Sequence, residues 1–149
     1  MRDAEVLFGD GREKGRLKMD CSDRYVQMSR KAEEIQRLWA PAEGDLFADE
    51  LCHVTMVNRP ILEHLNESFN QGKRENYVWL PRQDQLQEMV LPMFEANCHW
   101  MLEECYKFIN LPYSPQLESL EQIWLAFIMK EKNGKIWNAE YEYWEEVRK

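Results

Sequence analysis

Tyr77 to Met89, YVWLPRQDQLQEM, and Leu120 to Asn138, LEQIWLAFIMKEKNGKIWN, decide the fold. In the first, Tyr77–Leu80 is a run of β-formers that leads directly into a helical pattern. Pro81 suits a first helical turn, where its missing N–H costs nothing. Leu86, Met89 and Val90 then recur on one side. In the second, Leu120, Ile123, Trp124, Phe127 and Ile128 line one helical face, and Leu125 and Met129 widen it. So wide an apolar face predicts the most buried helix of the chain. Ser119 with Gln122 offers a capping box at its start. Lys130, Lys132 and Asn133-Gly134 suit its end. Lys135–Trp137 and Tyr141–Trp144 read as a hairpin around Asn138-Ala139-Glu140.

Between these two stretches, Pro92 breaks or kinks the helix that Pro81 begins. Phe94, Cys98, Met101, Leu102, Cys105, Phe108 and Ile109 then form a long stripe, ended by Leu111-Pro112, with a cap at Ser114-Pro115. Upstream, Tyr25, Met28, Ala32, Ile35 and Trp39 share a face of a helix that starts near Asp23 and ends by Pro41 and Gly44. Leu46-Phe47 and Val54–Val57 look like short strands, the second broken by Asn58-Arg59-Pro60. Ile61, Leu62, Leu65 and Phe69 fit either a helical face ended by Gln71-Gly72 or an extended insertion. Residues 1–21 sustain no period and read as a mobile arm, with one short strand at Glu5–Phe8. The expectation is an α+β protein: the arm, then a single domain over 22–149. A small mixed or antiparallel sheet (45–57, 77–80, 135–144) is packed by helices at 23–39, 82–110 and 116–132.

At 149 residues and 44% hydrophobic the chain can bury a core without staples. No apolar run reaches the ~18 residues of a membrane span. Charges flank Val6-Leu7-Phe8, which is unlike a signal peptide and points to a cytoplasmic protein. The formal charge is −8, and residues 1–43 are neutral, so the remainder carries the whole excess. That disfavours binding to bare nucleic acid, which needs basic groups against phosphate. It suits docking on a basic protein surface.

Cys52-His53 and Cys98-His99 raise the question of zinc. Neighbouring side chains on a helix point ~100° apart, so Cys98 and His99 cannot easily share an ion. Small core cysteines beside exposed histidines are the simpler reading, and neither metal nor cofactor is expected. Cys52 is the best placed nucleophile, yet nothing near it in sequence marks an oxyanion hole. Asp84 with Glu88, and Glu103 with Glu104, read as solvated helix faces. Gly9-Asp10-Gly11 lacks the Gly-Lys-Ser/Thr of a phosphate loop.

Two candidate surfaces remain. Arg82, Gln83 and Gln85, near a helix start, could read bases in a major groove, although capping the helix is the favoured use. At the C-terminus, Tyr141, Tyr143 and Trp144 interleave with Glu140, Glu142, Glu145 and Glu146. Strand alternation would make one face aromatic and the other acidic, which suits a protein interface; the competing reading is an edge hairpin that covers the core.

The blocks KAEEIQRLW (31–39), GDLF (44–47), YVWLPRQDQLQEM (77–89) and LEQIWLAFIMKEKNGKIWN (120–138) carry a resemblance. Together they resemble uncharacterised small phage and prophage proteins of Gram-positive bacteria, clostridia and relatives in particular. The N-terminal arm and residues 48–76 lie outside it. The resemblance implies a phage accessory protein acting in a bacterial cytoplasm and supplies no catalytic residue. The expected function is non-catalytic binding of a host or phage macromolecule, with inhibition of a host defence nuclease (an anti-CRISPR-like action) as the concrete form. The alternative is a nucleic-acid-processing enzyme or DNA-binding accessory protein.

Overall fold

A computed structural model describes residues 19–111 and 116–147. The expected strand at Glu5–Phe8 and cap at Ser114-Pro115 lie outside these residues. The class is α+β as expected, with every strand pair antiparallel. The chain forms two compact units, Met1–Pro81 and Arg82–Lys149.

In the first unit, Ser22 caps helix α1 (Asp23–Lys31) by accepting a hydrogen bond from the Tyr25 N–H at 3.2 Å. Asp23 in its first turn and Arg30 and Lys31 in its last complement the helix dipole. Cys21, placed by the sequence in the arm, is buried. The expected single helix over 23–39 is interrupted at Ala32 (φ −86°, ψ 69°), and a short α2 (Glu33–Gln36) follows. Tyr25, buried completely, donates its hydroxyl to the Pro81 carbonyl at 2.6 Å.

Strands β1 (Leu46–Ala48), β2 (Val54–Met56) and β3 (Val78–Leu80) form a sheet in the order β2-β1-β3. Gly44, at φ +94°, donates its N–H to the Val57 carbonyl, while the Val57 N–H goes to the Asp45 carbonyl. Two residues thus oppose one, a bulge whose positive φ calls for glycine. Phe47 pairs with both Thr55 and Trp79, so these three side chains share a face. Trp39 packs on Phe47 and stacks on Trp79 at 6.3 Å, and Phe69 meets Trp39 edge-on at 5.5 Å. Phe69 belongs to α3 (Arg59–Asn70), so the helical reading of 61–69 holds. Asn58 caps α3 and Pro60 occupies its first turn, the same residues that end the preceding strand.

In the second unit, α4 (Gln83–Val90) passes through a 3₁₀ turn (Leu91–Phe94) that holds Pro92. Glu95 and Ala96 both take the left-handed conformation, at φ 55° and 58°. Asn97 then caps a new helix, α5 (Cys98–Ile109), by accepting from the Trp100 N–H. This restart corrects the expected stripe. Met101, Cys105 and Phe108 face inward, while Cys98, Leu102 and Ile109 are exposed. A fresh cap resets the helical phase, so an apolar series counted through Pro92 loses its register.

Helix α6 (Leu120–Asn133) is the most buried element, as expected: every residue from Trp124 to Met129 is inside. Ser119 accepts from the Gln122 N–H, and the Gln122 side chain accepts from the Glu118 N–H, which is the predicted box moved back by one backbone group. Leu120 departs from expectation at 56% exposed, although Glu121 and Gln122 on the same turn are buried. Phe127 stacks on Phe94 at 5.9 Å and meets Phe108 at 5.6 Å and Trp124 at 5.8 Å. Gly134, at φ +65°, closes the helix and starts β4 (Lys135–Asn138). β4 pairs with β5 (Tyr143–Glu146) in a sheet of two strands. Residues 135–144 therefore do not join the first sheet, contrary to the single sheet expected.

Two outcomes follow from this packing. Trp124→Ala removes a buried indole from contact with Phe127 and should cost ~3–5 kcal/mol in denaturant unfolding. Ala96→Gly relieves a left-handed alanine and should raise the melting temperature, a gain of ~1 kcal/mol.

Candidate partner-binding surface

The C-terminal hairpin is organised by two tryptophans. Trp137 and Trp144 are cross-strand partners with ring centroids 5.1 Å apart, and both are buried. A four-residue turn, Ala139–Glu142, joins the strands. Asn138 accepts from the Tyr141 N–H at 3.0 Å, and Glu142 takes φ +54° to close the turn. The ladder extends past β5, where the Val147 N–H donates to the Gly134 carbonyl.

This geometry revises the expected faces. β5 begins at Tyr143, and Tyr141 belongs to the turn. Along β5, Tyr143 and Glu145 lie on one side and Trp144 and Glu146 on the other. No face is purely aromatic or purely acidic. Trp144 is a core residue, 8% exposed, and cannot be an exposed anchor. Tyr141 is 69% exposed and Tyr143 42%. Glu140, Glu142, Glu145 and Glu146 are all exposed around them. The surface is therefore two tyrosines among four carboxylates, carried on a ribbon that the tryptophan pair holds in shape.

Arg82, Gln83 and Gln85 are committed largely to local structure. The Arg82 N–H donates to Gln85 Oε1 at 2.8 Å, and the Arg82 guanidinium pairs with Asp84 at 3.1 Å. This is the capping role that the sequence favoured. Gln83 is half-buried at the first position of α4.

The two Cys-His pairs serve different local ends. Cys52 closes the turn after β1 at φ +63°, and Arg30 Nη2 donates to its sulfur at 3.6 Å. His53 lies 3.6 Å from Asp49. Cys98 is exposed at the start of α5, and His99 reaches Glu103 at 2.9 Å along that helix. Among the described residues, no three His, Cys, Asp or Glu side chains converge as metal ligands would. Burial pushes the Cys105 thiol up to about 11.

Two features escaped the sequence reading. Tyr77 brings its hydroxyl to His64 Nε2 at 3.2 Å and to Ser68 Oγ at 3.4 Å. The signal was the four-residue spacing of His64 and Ser68, hidden by the undecided structure of that segment. The second is the outer edge of the first sheet, where Val54 and Met56 of β2 turn their backbone groups away from β1. No family model matches the chain, no curated protein matches it in sequence, and no solved structure matches it in fold. Among the described residues, no helix is long and apolar enough to cross a membrane.

The cysteines offer a direct check of this placement. At pH 8, a thiol-alkylating reagent on the native protein should label Cys98 fast and leave Cys105 unlabelled, as read by peptide mass mapping. Because folding raises the Cys105 thiol, its proton is held more tightly in the native state. Stability should therefore fall as pH rises from about 9 through about 11, and Cys105→Ala should flatten that slope.

Proposed function

We propose that the protein is a non-catalytic binding protein whose C-terminal hairpin docks on a basic protein surface. The observation that carries this reading is the exposure of Tyr141 and Tyr143 amid Glu140, Glu142, Glu145 and Glu146, on a hairpin pinned from within by Trp137 and Trp144. Aromatic side chains ringed by charge supply both contact area and orientation. The charge distribution agrees: residues 82–149 hold seven basic and twelve acidic residues, the larger share of the excess. The resemblance to phage and prophage proteins suggests a bacterial cytoplasm as the setting. A nucleic-acid groove on a host defence nuclease is a basic surface of the required kind, and occupying it with carboxylates is an anti-CRISPR-like mode of inhibition.

Affinity capture from infected host lysate, followed by kinetics with the captured partner, tests the reading. Reversing Glu140, Glu142, Glu145 and Glu146 to lysine should slow association, and added salt should do the same to the wild type. Tyr141→Ala should mainly speed dissociation. Trp144→Ala should instead lower stability, by ~3 kcal/mol, because it empties a core position. Bare duplex DNA at physiological salt should not bind. Tight DNA binding that Arg82→Ala or Gln85→Ala abolishes would replace this proposal with the DNA-binding alternative.

A further inference from the structure

Asn133-Gly134 joins the most buried helix of the chain to the hairpin, and it is the one Asn-Gly step in the sequence. Such a step carries a chemistry of its own. The backbone nitrogen that follows an asparagine can attack the side-chain carbonyl carbon. A new C–N bond closes a succinimide ring, and the side-chain amide leaves as ammonia. Water then opens the ring at either carbonyl and leaves aspartate or isoaspartate. Glycine in the following position favours the attack, because it puts no Cβ in the way.

The fold leaves this step open to solvent and yet holds it shut. Gly134 is exposed, and a Cβ built there would meet nothing within 4 Å, so water and base reach the junction. Hydrogen bonding is what opposes the attack. The Gly134 N–H must lose its proton to become a nucleophile, and it donates to the Lys130 carbonyl at 3.0 Å. The Asn133 side chain is turned back along the helix, where its Nδ2 donates to Met129 Sδ at 3.5 Å. That direction carries the side-chain carbonyl carbon away from the Gly134 nitrogen. Gly134 itself holds φ +65° as the left-handed cap. Ring closure therefore needs the last turn of α6 to open.

We propose that Asn133 is a spontaneous deamidation site gated by the cap of α6, so that the chain keeps an irreversible record of the opening of that turn. The product does not rebuild the cap as it was. Aspartate places a negative charge at a helix C-terminus, against the dipole. Isoaspartate lengthens the main chain by one carbon just before Gly134. That glycine is held from two sides, by its N–H to Lys130 and by its carbonyl, which accepts from the Val147 N–H at 2.8 Å. With the extra atom it cannot keep both its helix bond and its strand bond, and the junction between α6 and β4 loosens. This inference stands apart from the hairpin's role in binding.

Ageing the full chain at mildly alkaline pH, folded and in guanidinium chloride, tests it. Cleavage after glutamate releases residues 132–140, and tandem mass spectrometry reads deamidation at Asn133 separately from Asn138. The expected result is accumulation at Asn133 in the unfolded chain and a rate about a hundredfold lower in the folded one, the ratio of a local opening that lies ~2.7 kcal/mol uphill. Met129→Leu removes the sulfur that holds the Asn133 amide and keeps an apolar side chain in the core. It should speed the folded-state reaction about threefold, the scale of one weak hydrogen bond, and leave the unfolded-state rate unchanged. Amide exchange at Gly134 should rise by the same factor. If that variant fails to fold, the comparison of folded and unfolded wild type still decides. Equal rates in the two states overturn the proposal. So does a folded-state reaction faster at another asparagine than at Asn133, or a Met129→Leu rate change that Gly134 amide exchange does not follow.

Discussion

Strand β1 is three residues long, and the first unit depends on its being paired on both sides. Phe47 spends its backbone groups on β2, while the alternation gives those of Leu46 and Ala48 to β3. All three residues are buried, so no water is available to replace those bonds. The rest of the unit is arranged around this constraint. The Trp79 backbone groups must point outward at the edge, and the break at Ala32 turns α2 so that Gln36 meets them. Arg74 reaches the Gln36 carbonyl at 3.1 Å and lies over the Phe69 ring at 4.4 Å. One glutamine thus links a helix, an edge strand and the aromatic cluster. A side-chain amide carries a donor and an acceptor at the spacing of a peptide, which is why it can stand in for a fourth strand.

The second unit is organised differently. α6 is apolar nearly all round, which a helix can be only if neighbours cover most of it. α4 and β4 supply most of that cover, with α5 contributing through Phe108. The helix is capped at both ends by short-range chemistry, Ser119 with Gln122 at one end and Gly134 at the other. Those caps were legible because each depends on residues three or four positions apart. The same holds for the burial of Trp124 and Phe127. Where the sequence was misread, the deciding information was not local. The phase of α5 depends on two left-handed residues, Glu95 and Ala96, that no glycine announces. That β4 and β5 pair only with each other depends on partners that local alternation cannot specify.

The candidate surface was legible in composition and misread in geometry. Tyr141, Tyr143 and the four glutamates are exposed, as an interface requires, yet Trp144 is not. The error lay in the turn. A two- or three-residue connection at Asn138–Glu140 would have placed Tyr141 in the strand. The observed turn runs to Glu142, stabilised by the Asn138 side chain, and so begins the strand two residues later. Because Trp137 and Trp144 are then opposite one another, burying one buries the other. The hairpin divides its aromatic residues between an inner pair that fixes shape and an outer pair available for contact.

The hairpin and the outer edge of β2 differ in what could bind them. The hairpin offers four carboxylates against one lysine, Lys135, which lies opposite Glu146, so its partner must supply positive charge, and the encounter is governed by long-range attraction that salt screens. The edge of β2 offers backbone groups first, and these select for an extended strand at short range whatever its sequence. Natural sheets normally block such an edge with lysine, proline or a covering segment. β3 follows that rule through Gln36, whereas β2 carries Val54, Thr55 and Met56 and none of these devices within the strand.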